Sequence, residues 1–144
     1  MINIISIGKL DSDFKKISTK YEKMLRWKIQ ATEIAYNKKL PPEQIKQFEA
    51  KLILDYLNLK SYKIALDPQG KSLDSYQFAK IFSSYSNLDF IIGGAFGLDD
   101  SLITKVNFKL NLSKLTLPHQ MAKIVLLEQI YRAQSILDNH PYHK

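Results

Sequence analysis

Leu88-Asp-Phe-Ile-Ile-Gly-Gly-Ala-Phe-Gly97 decides how this chain folds. Leu88 to Ile92 is apolar enough to be a strand covered on both faces, as the middle of a parallel sheet requires. Gly93-Gly94 then ends it, and glycines there admit positive φ and let a ligand approach bare N–H and C=O groups. A tight turn ahead of a helix is the commoner reason for an isolated Gly-Gly. The glycine order is not the G-x-G-x-x-G of a dinucleotide site, and the Gly-Lys-Ser/Thr ending of a phosphate loop is missing. Gly70-Lys71-Ser72 has that ending, but the first glycine of such a loop would fall on Ala65, which discards the motif.

Outward from this stretch, strands alternate with helices. Toward the amino end, Asn3 to Ile7 reads as a buried first strand. Phe14, Ile17, Tyr21, Met24 and Leu25 then keep helical spacing, with Ser12 or Asp13 as the cap. Ile29 to Tyr36 is a second strand. Pro41-Pro42-Glu43 opens a second helix with Ile45, Phe48, Leu52 and Leu57 on its inner face. Tyr62 to Leu66 is a third strand, ended by the turn Asp67-Pro-Gln-Gly-Lys, and Tyr76 to Tyr85 is helical. Toward the carboxyl end, a short helix near Ser101 to Val106 leads to a fifth strand around Phe108 to Leu112. A final helix runs from Pro118 to Leu137. This alternation predicts one α/β domain over residues 1–144 with a mostly parallel sheet flanked by helices. Ligands of such sheets sit beyond the carboxyl ends of the strands. The loops after Leu66, Ile92 and Leu112 are therefore expected to converge.

Composition narrows the chemistry. Cysteine is absent, which removes disulfides, thiolate catalysis and cysteine-based zinc sites, and the three histidines make no metal spacing. No uncharged run approaches the ~20 residues needed to span a bilayer, and Met1-Ile-Asn-Ile-Ile lacks the basic start of a secretion signal, so a cytoplasmic protein without a membrane is expected. The net charge of +7 is uneven: residues 1–63 hold thirteen lysines and arginines against seven acids, residues 64–144 eight against seven. A basic half beside a nearly neutral one suits a polyanion such as RNA. It also suits an ordinary solvated lysine surface, since nineteen of the twenty-one cations are lysine.

The last thirty residues gather all three histidines and one of the two arginines. Leu115-Thr-Leu-Pro-His119 is an apolar loop whose free amides suit a flat uncharged heterocycle better than a phosphate; His119 at the helix start is either structural or a ligand contact. The final helix is apolar nearly all round, which predicts burial on more than one side, in part against a second copy of the chain. Glu128 and Arg132 stand four apart in the favourable acid-first order, so Arg132 is either half of that ion pair or an anion contact. Pro141 stops any helix and is expected to leave His140, Tyr142, His143 and Lys144 on an extended end. Such groups either fray or stack on a base, hold phosphate and shuttle a proton.

Together, Ile91-Ile-Gly-Gly-Ala-Phe-Gly, Leu115-Thr-Leu-Pro-His-Gln, Glu128-Gln-Ile-Tyr-Arg-Ala and His140-Pro-Tyr-His-Lys resemble the small bacterial large-subunit rRNA methyltransferases of the SPOUT class, which methylate N3 of a pseudouridine. The similarity spans the whole chain and includes Leu66-Asp67 with Gly70-Lys71. Ser72-Leu-Asp-Ser departs from the family's usual Ser-Ser-Glu and puts one helix cap in doubt. The resemblance implies a C-terminal trefoil knot, a homodimer and S-adenosylmethionine as methyl donor, with no metal. It implies a cofactor site made of Leu66, Gly94 and Lys114, Leu115, Thr116, Leu117, Pro118 and His119. The implied substrate is 23S rRNA within the ribosome, with Arg132 stabilising charge on the attacked base and Tyr142 and His143, from the partner subunit's tail, positioning it or relaying its proton. Two other readings stand beside this one: a non-catalytic ribosome-binding factor, and a SPOUT enzyme acting on another RNA such as tRNA.

Overall fold

A computed structural model describes all of residues 1–144. Ten elements alternate along the chain: β1 (Ile2–Ile7), α1 (Ser12–Met24), β2 (Ile29–Ile34), α2 (Pro42–Leu54), β3 (Tyr62–Ser72), α3 (Ser75–Ser84), β4 (Leu88–Ile92), α4 (Asp100–Ile103), β5 (Phe108–Asn111) and α5 (His119–Leu137). The five strands form one all-parallel sheet in the order β2-β1-β4-β3-β5, so β4 is central and each of its residues is buried.

Strand side chains alternate between the two faces. Ile2, Ile4, Phe90 and Ile92 meet α3 and α5 on one face, where Phe14 and Tyr21 of α1 also pack. Ile5, Ile7 and Ile91 meet Ala50 and Ile53 of α2 and Leu102 of α4 on the other. The crossovers after β1 and β3 thus run on the first face and the crossover after β4 on the second. The loop leaving β4 diverges from both of its neighbours, giving a crevice on each side of it.

Four local expectations are corrected. Asp11, not Ser12 or Asp13, caps α1, because its carboxylate accepts the Phe14 N–H at 3.2 Å. The inner face of α2 carries Ile45, Glu49, Ala50 and Ile53 rather than Phe48, Leu52 and Leu57, which are only partly buried. Asp67-Pro-Gln-Gly-Lys does not end β3: Leu66 and Lys71 both pair with Leu110, and the strand resumes after a bulge. Gly70 makes that possible, since a Cβ there would lie 2.6 Å from the Lys109 backbone. The departure at Ser72-Leu-Asp-Ser costs no cap, because Asp74 and Gln77 form a reciprocal capping box on α3.

The last helix is buried on several sides within the chain itself, against α1, α3 and β4. Its polar residues work inward. Gln134 accepts the Arg26 and Trp27 N–H groups at 2.8 and 3.1 Å. Lys123, 1% exposed, reaches Glu33 at 2.8 Å and Ser6 at 3.2 Å, tying α5 to β2 and β1. Burial alone would raise the Glu33 pKa; the hydrogen bond and charge of Lys123, helped by Lys15, overcome that and hold it below the ordinary value. No helix is long and apolar enough to cross a membrane.

Candidate active site

Parallel pairing sets the carboxyl edge of the sheet. Ala65 lies opposite Ile91, and Leu66 opposite Leu110, so Leu66, Ile92 and Leu110 sit on neighbouring strands in nearly the same row; β4 ends there, β5 one residue later, and β3 bulges directly after Leu66. With strands about 4.8 Å apart, the bulge after Leu66 and the loops after β4 and β5 start within roughly 10 Å of one another. Leu115 on the third loop is 78% exposed, an apolar side chain with nothing of its own chain over it. Pro118 stands at the cap of α5 with no side-chain cap bond, leaving the first helical N–H groups free of side-chain partners. The third loop thus offers an uncovered apolar side chain at Leu115 and unclaimed amides at the start of α5.

On the other side of β4 lies an open cleft of about 630 Å³. Gly8 and Lys9 after β1, Tyr36 after β2, Glu49 of α2, Gly94 after β4 and His119 at the head of α5 line it. Of the expected cofactor residues, the structure brings Gly94 and His119 into this cleft, while Leu66 and Lys114 to Pro118 lie outside it. His119 packs against Gly8, whose Cβ position would be 3.4 Å from the His119 Nε2.

Sequence reading missed Glu49. It is 4% exposed, its Oε1 accepts the Tyr36 hydroxyl, and its Oε2 has no partner. Burial, with the Glu49 carboxylate, pushes the Tyr36 pKa up to about 12, so this hydroxyl stays a donor. A Cβ on Gly94 would lie 2.6 Å from Oε1, so any side chain there would have to displace the carboxylate. The signal was there in the helical spacing of Ile45, Glu49 and Ile53, an acid on an apolar stripe.

The tail does not run out as an extended end. Asn139, at φ 55°, takes the left-handed conformation that asparagine tolerates, and the His140 N–H donates back to Ser135 at 2.8 Å. The chain therefore doubles back onto α5. Glu128 Oε1 accepts from Arg132 Nε at 3.0 Å, Arg132 Nη2 at 2.5 Å and the Tyr142 hydroxyl at 3.0 Å. The Arg132 guanidinium lies 4.9 Å from the Tyr142 ring centre. Arg132 Nη1 is 3.2 Å from His143 Nδ1; as arginine only donates, that nitrogen accepts and the ring proton sits on Nε2. The His143 ring stands edge-on to Tyr76 at 4.7 Å. Structure thus gathers Arg132, Tyr142 and His143 into one cluster.

Electrostatics limits what the cluster can do. Arg132 is raised above its ordinary value, first by its hydrogen bond to Glu128, and remains a cation. Tyr142 is raised well above the usual phenol by burial and by its bond to Glu128. It is therefore a donor at neutral pH and not a base. The arrangement suits stabilising an anion and orienting a flat ring. Arg132 is thirteen residues along α5 from His119, or ~20 Å at the helical rise.

A parallel sheet whose central strand opens a crevice on either side, with an apolar loop and a cationic aromatic cluster, is the frame of a group-transfer enzyme. Residues 1–143 match the family model described as "Predicted SPOUT methyltransferase", and the chain belongs to the SPOUT methyltransferase family. It is 45% identical to the Ribosomal RNA large subunit methyltransferase H of Campylobacter jejuni, over 99% of each chain. It is 40% identical to the proteins of that name from Clostridium botulinum, over 99% of each, and Nitratiruptor, over 99% of this chain and 98% of the relative. A solved probable methylase family protein from Haemophilus influenzae superposes with a TM-score of 0.61, covering 99% of this chain and 70% of the other. At 15% identity that likeness speaks for the fold alone.

Proposed function

We propose that the chain is an S-adenosylmethionine-dependent methyltransferase that modifies N3 of a pseudouridine in 23S rRNA, acting on the ribosome in the cytoplasm as a homodimer. The observation that supports this reading is the shared row of Leu66, Ile92 and Leu110, which starts the β3 bulge and the loops after β4 and β5 close together, with the uncovered Leu115 on the last of these. Family membership implies the methyl donor, and the relatives' name supports the RNA target.

Leu66, Gly94 and the Lys114–His119 segment would hold the donor, with the loops threaded as the trefoil knot of the family. When bound, the donor supplies a methyl group already activated on a sulfonium. What remains for the protein is orientation and the proton on the attacking ring nitrogen. Arg132 stabilises the negative charge that develops as that proton leaves. Tyr142, held as a donor, and His143 position the base. The ~20 Å between Arg132 and the cofactor end of α5 is too far for one chain to complete the reaction, which favours a partner subunit supplying the cluster across a dimer interface. The basic amino-terminal half provides salt-dependent rRNA affinity.

The test is transfer of a labelled methyl group to ribosomes, with and without the pseudouridine, beside titration calorimetry with S-adenosylmethionine. Cofactor binding and transfer only to pseudouridine-bearing ribosomes is expected. Ribosome binding without cofactor affinity would make the chain a binding factor; transfer to tRNA instead would reassign the target.

A further inference from the structure

The cleft on the far side of β4 shares only Gly94 and His119 with the donor site of the reading above, and the rest of it is built like a nucleotide site. It lies beyond the carboxyl ends of β2, β1 and β4, where β1 and β4 send their loops to opposite faces. Lys9, Lys38 and Lys39 stand exposed on its rim, and Phe96, 53% exposed, offers a ring on which a base can stack. On its floor lies Glu49, making no salt bridge, with one oxygen taken by Tyr36 and the other unpartnered. A buried carboxylate oxygen without a donor is costly, and such a group in a native protein asks for an explanation.

We infer that this cleft takes the target nucleotide and that Glu49 Oε2 accepts a hydrogen bond from its ring N1–H, making Glu49 the residue that tells pseudouridine from uridine. The inference rests on the proposed function. The two nucleosides share the N3 edge that is methylated. They differ on the opposite edge, where pseudouridine carries N1–H and uridine carries C5–H. An oxygen that can only accept separates these two; a hydroxyl or amide, able to rotate or flip, separates them less. Tyr36 keeps its proton and donates it to Oε1, which leaves Oε2 as the oxygen without a partner. Oε2 is shielded from solvent, and the bare Gly94 backbone is the close neighbour that the carboxylate meets from β4. Gly94 and His119 belong also to the proposed donor site, so the base and the donor would meet at the end of β4. N1–H is retained in the product, so Glu49 binds and orients the ring without taking part in proton removal.

The test uses the full-length protein and 50S particles carrying pseudouridine, uridine or 1-methylpseudouridine at the target position. Wild-type enzyme should prefer pseudouridine over uridine by roughly 10³-fold or more in kcat/KM, as sites built around a substrate N–H do. Glu49→Gln keeps the size and the oxygen that holds Tyr36 but presents an amide; it should bring the two substrates to within about tenfold of each other. Its S-adenosylmethionine affinity should stay within about twofold, since Glu49 faces the base and not the donor. With wild-type protein, which removes any question of folding, 1-methylpseudouridine should react as poorly as uridine. A Glu49→Gln enzyme that keeps the preference overturns the inference, as does ready methylation of 1-methylpseudouridine. Loss of cofactor affinity also overturns it, and moves Glu49 to the donor site. Wild-type protein that methylates neither natural particle overturns the proposed function itself, and the inference falls with it.

Discussion

Deleting Tyr142-His143-Lys144 should silence turnover while leaving the fold and the cofactor site almost untouched. The docked tail gains about 1.5–3 kcal/mol from the Tyr142 hydroxyl on the charged Glu128. Edge contacts of Tyr142 on Tyr131 and of His143 on Tyr76 add about 0.5–1.5 kcal/mol each. The Arg132 guanidinium over the Tyr142 ring adds about 0.5–1 kcal/mol. Against this, ordering two residues costs about 1–2 kcal/mol of backbone entropy each, plus about 1 kcal/mol per side chain. The two sides nearly cancel, so the tail is docked but contributes little to global stability. Thermal unfolding followed by circular dichroism should therefore shift by no more than ~4 °C. S-adenosylmethionine affinity by calorimetry should change less than about twofold, because the tail and the cofactor loops lie ~20 Å apart along α5. Labelled-methyl transfer to ribosomes should fall by ~10²–10³, the usual cost of removing a group that holds a developing anion in place. A fall in melting temperature beyond ~8 °C would make the tail a structural clasp, and retained turnover would remove it from the active site.

Arg132→Lys should lose most of the same activity in the methyl-transfer assay without rescuing it, because an ammonium cannot reproduce the two-pronged contact with Glu128. Lys123→Met should destabilise the fold by about 2–3 kcal/mol in urea unfolding, because it leaves Glu33 with only the more exposed Lys15. The same pair sets an acid limb. Glu33 has a lowered folded pKa, so its contribution is complete above the unfolded value of 4.5 and is lost as pH falls through the folded one. The stability difference between wild type and Lys123→Met should therefore shrink below pH 4.5 and stay constant above it. Replacing Lys9, Lys38 and Lys39 together by Gln should lower the salt slope of rRNA binding by about 2–3, and an unchanged slope would place the phosphates elsewhere.

Much of the scaffold was legible because it is written in short-range patterns. Leu88 to Ile92, apolar but for Asp89, reads as a strand covered on both faces; α5 could be read as buried on several sides from its apolar circumference. What escaped reading depended on partners distant in sequence. The bulge at Asp67–Gly70 looks like a turn until β5 is laid beside it, and Gly70 matters only because Lys109 presses against it. Glu49 was hidden for the same reason: its role arises from Tyr36 and Gly94, thirteen and forty-five positions away. The tail differs from expectation in shape: α5 already ends at Leu137, and Asn139 reverses the chain before Pro141 is reached.

Gly94 and Glu49 are locked to each other. Any side chain at position 94 would have to displace a buried carboxylate that already holds Tyr36. Drift at the end of β4 is therefore tied to drift on α2: a larger residue at 94 becomes tolerable only with a shorter one at 49, and the two positions are expected to change as a pair or not at all.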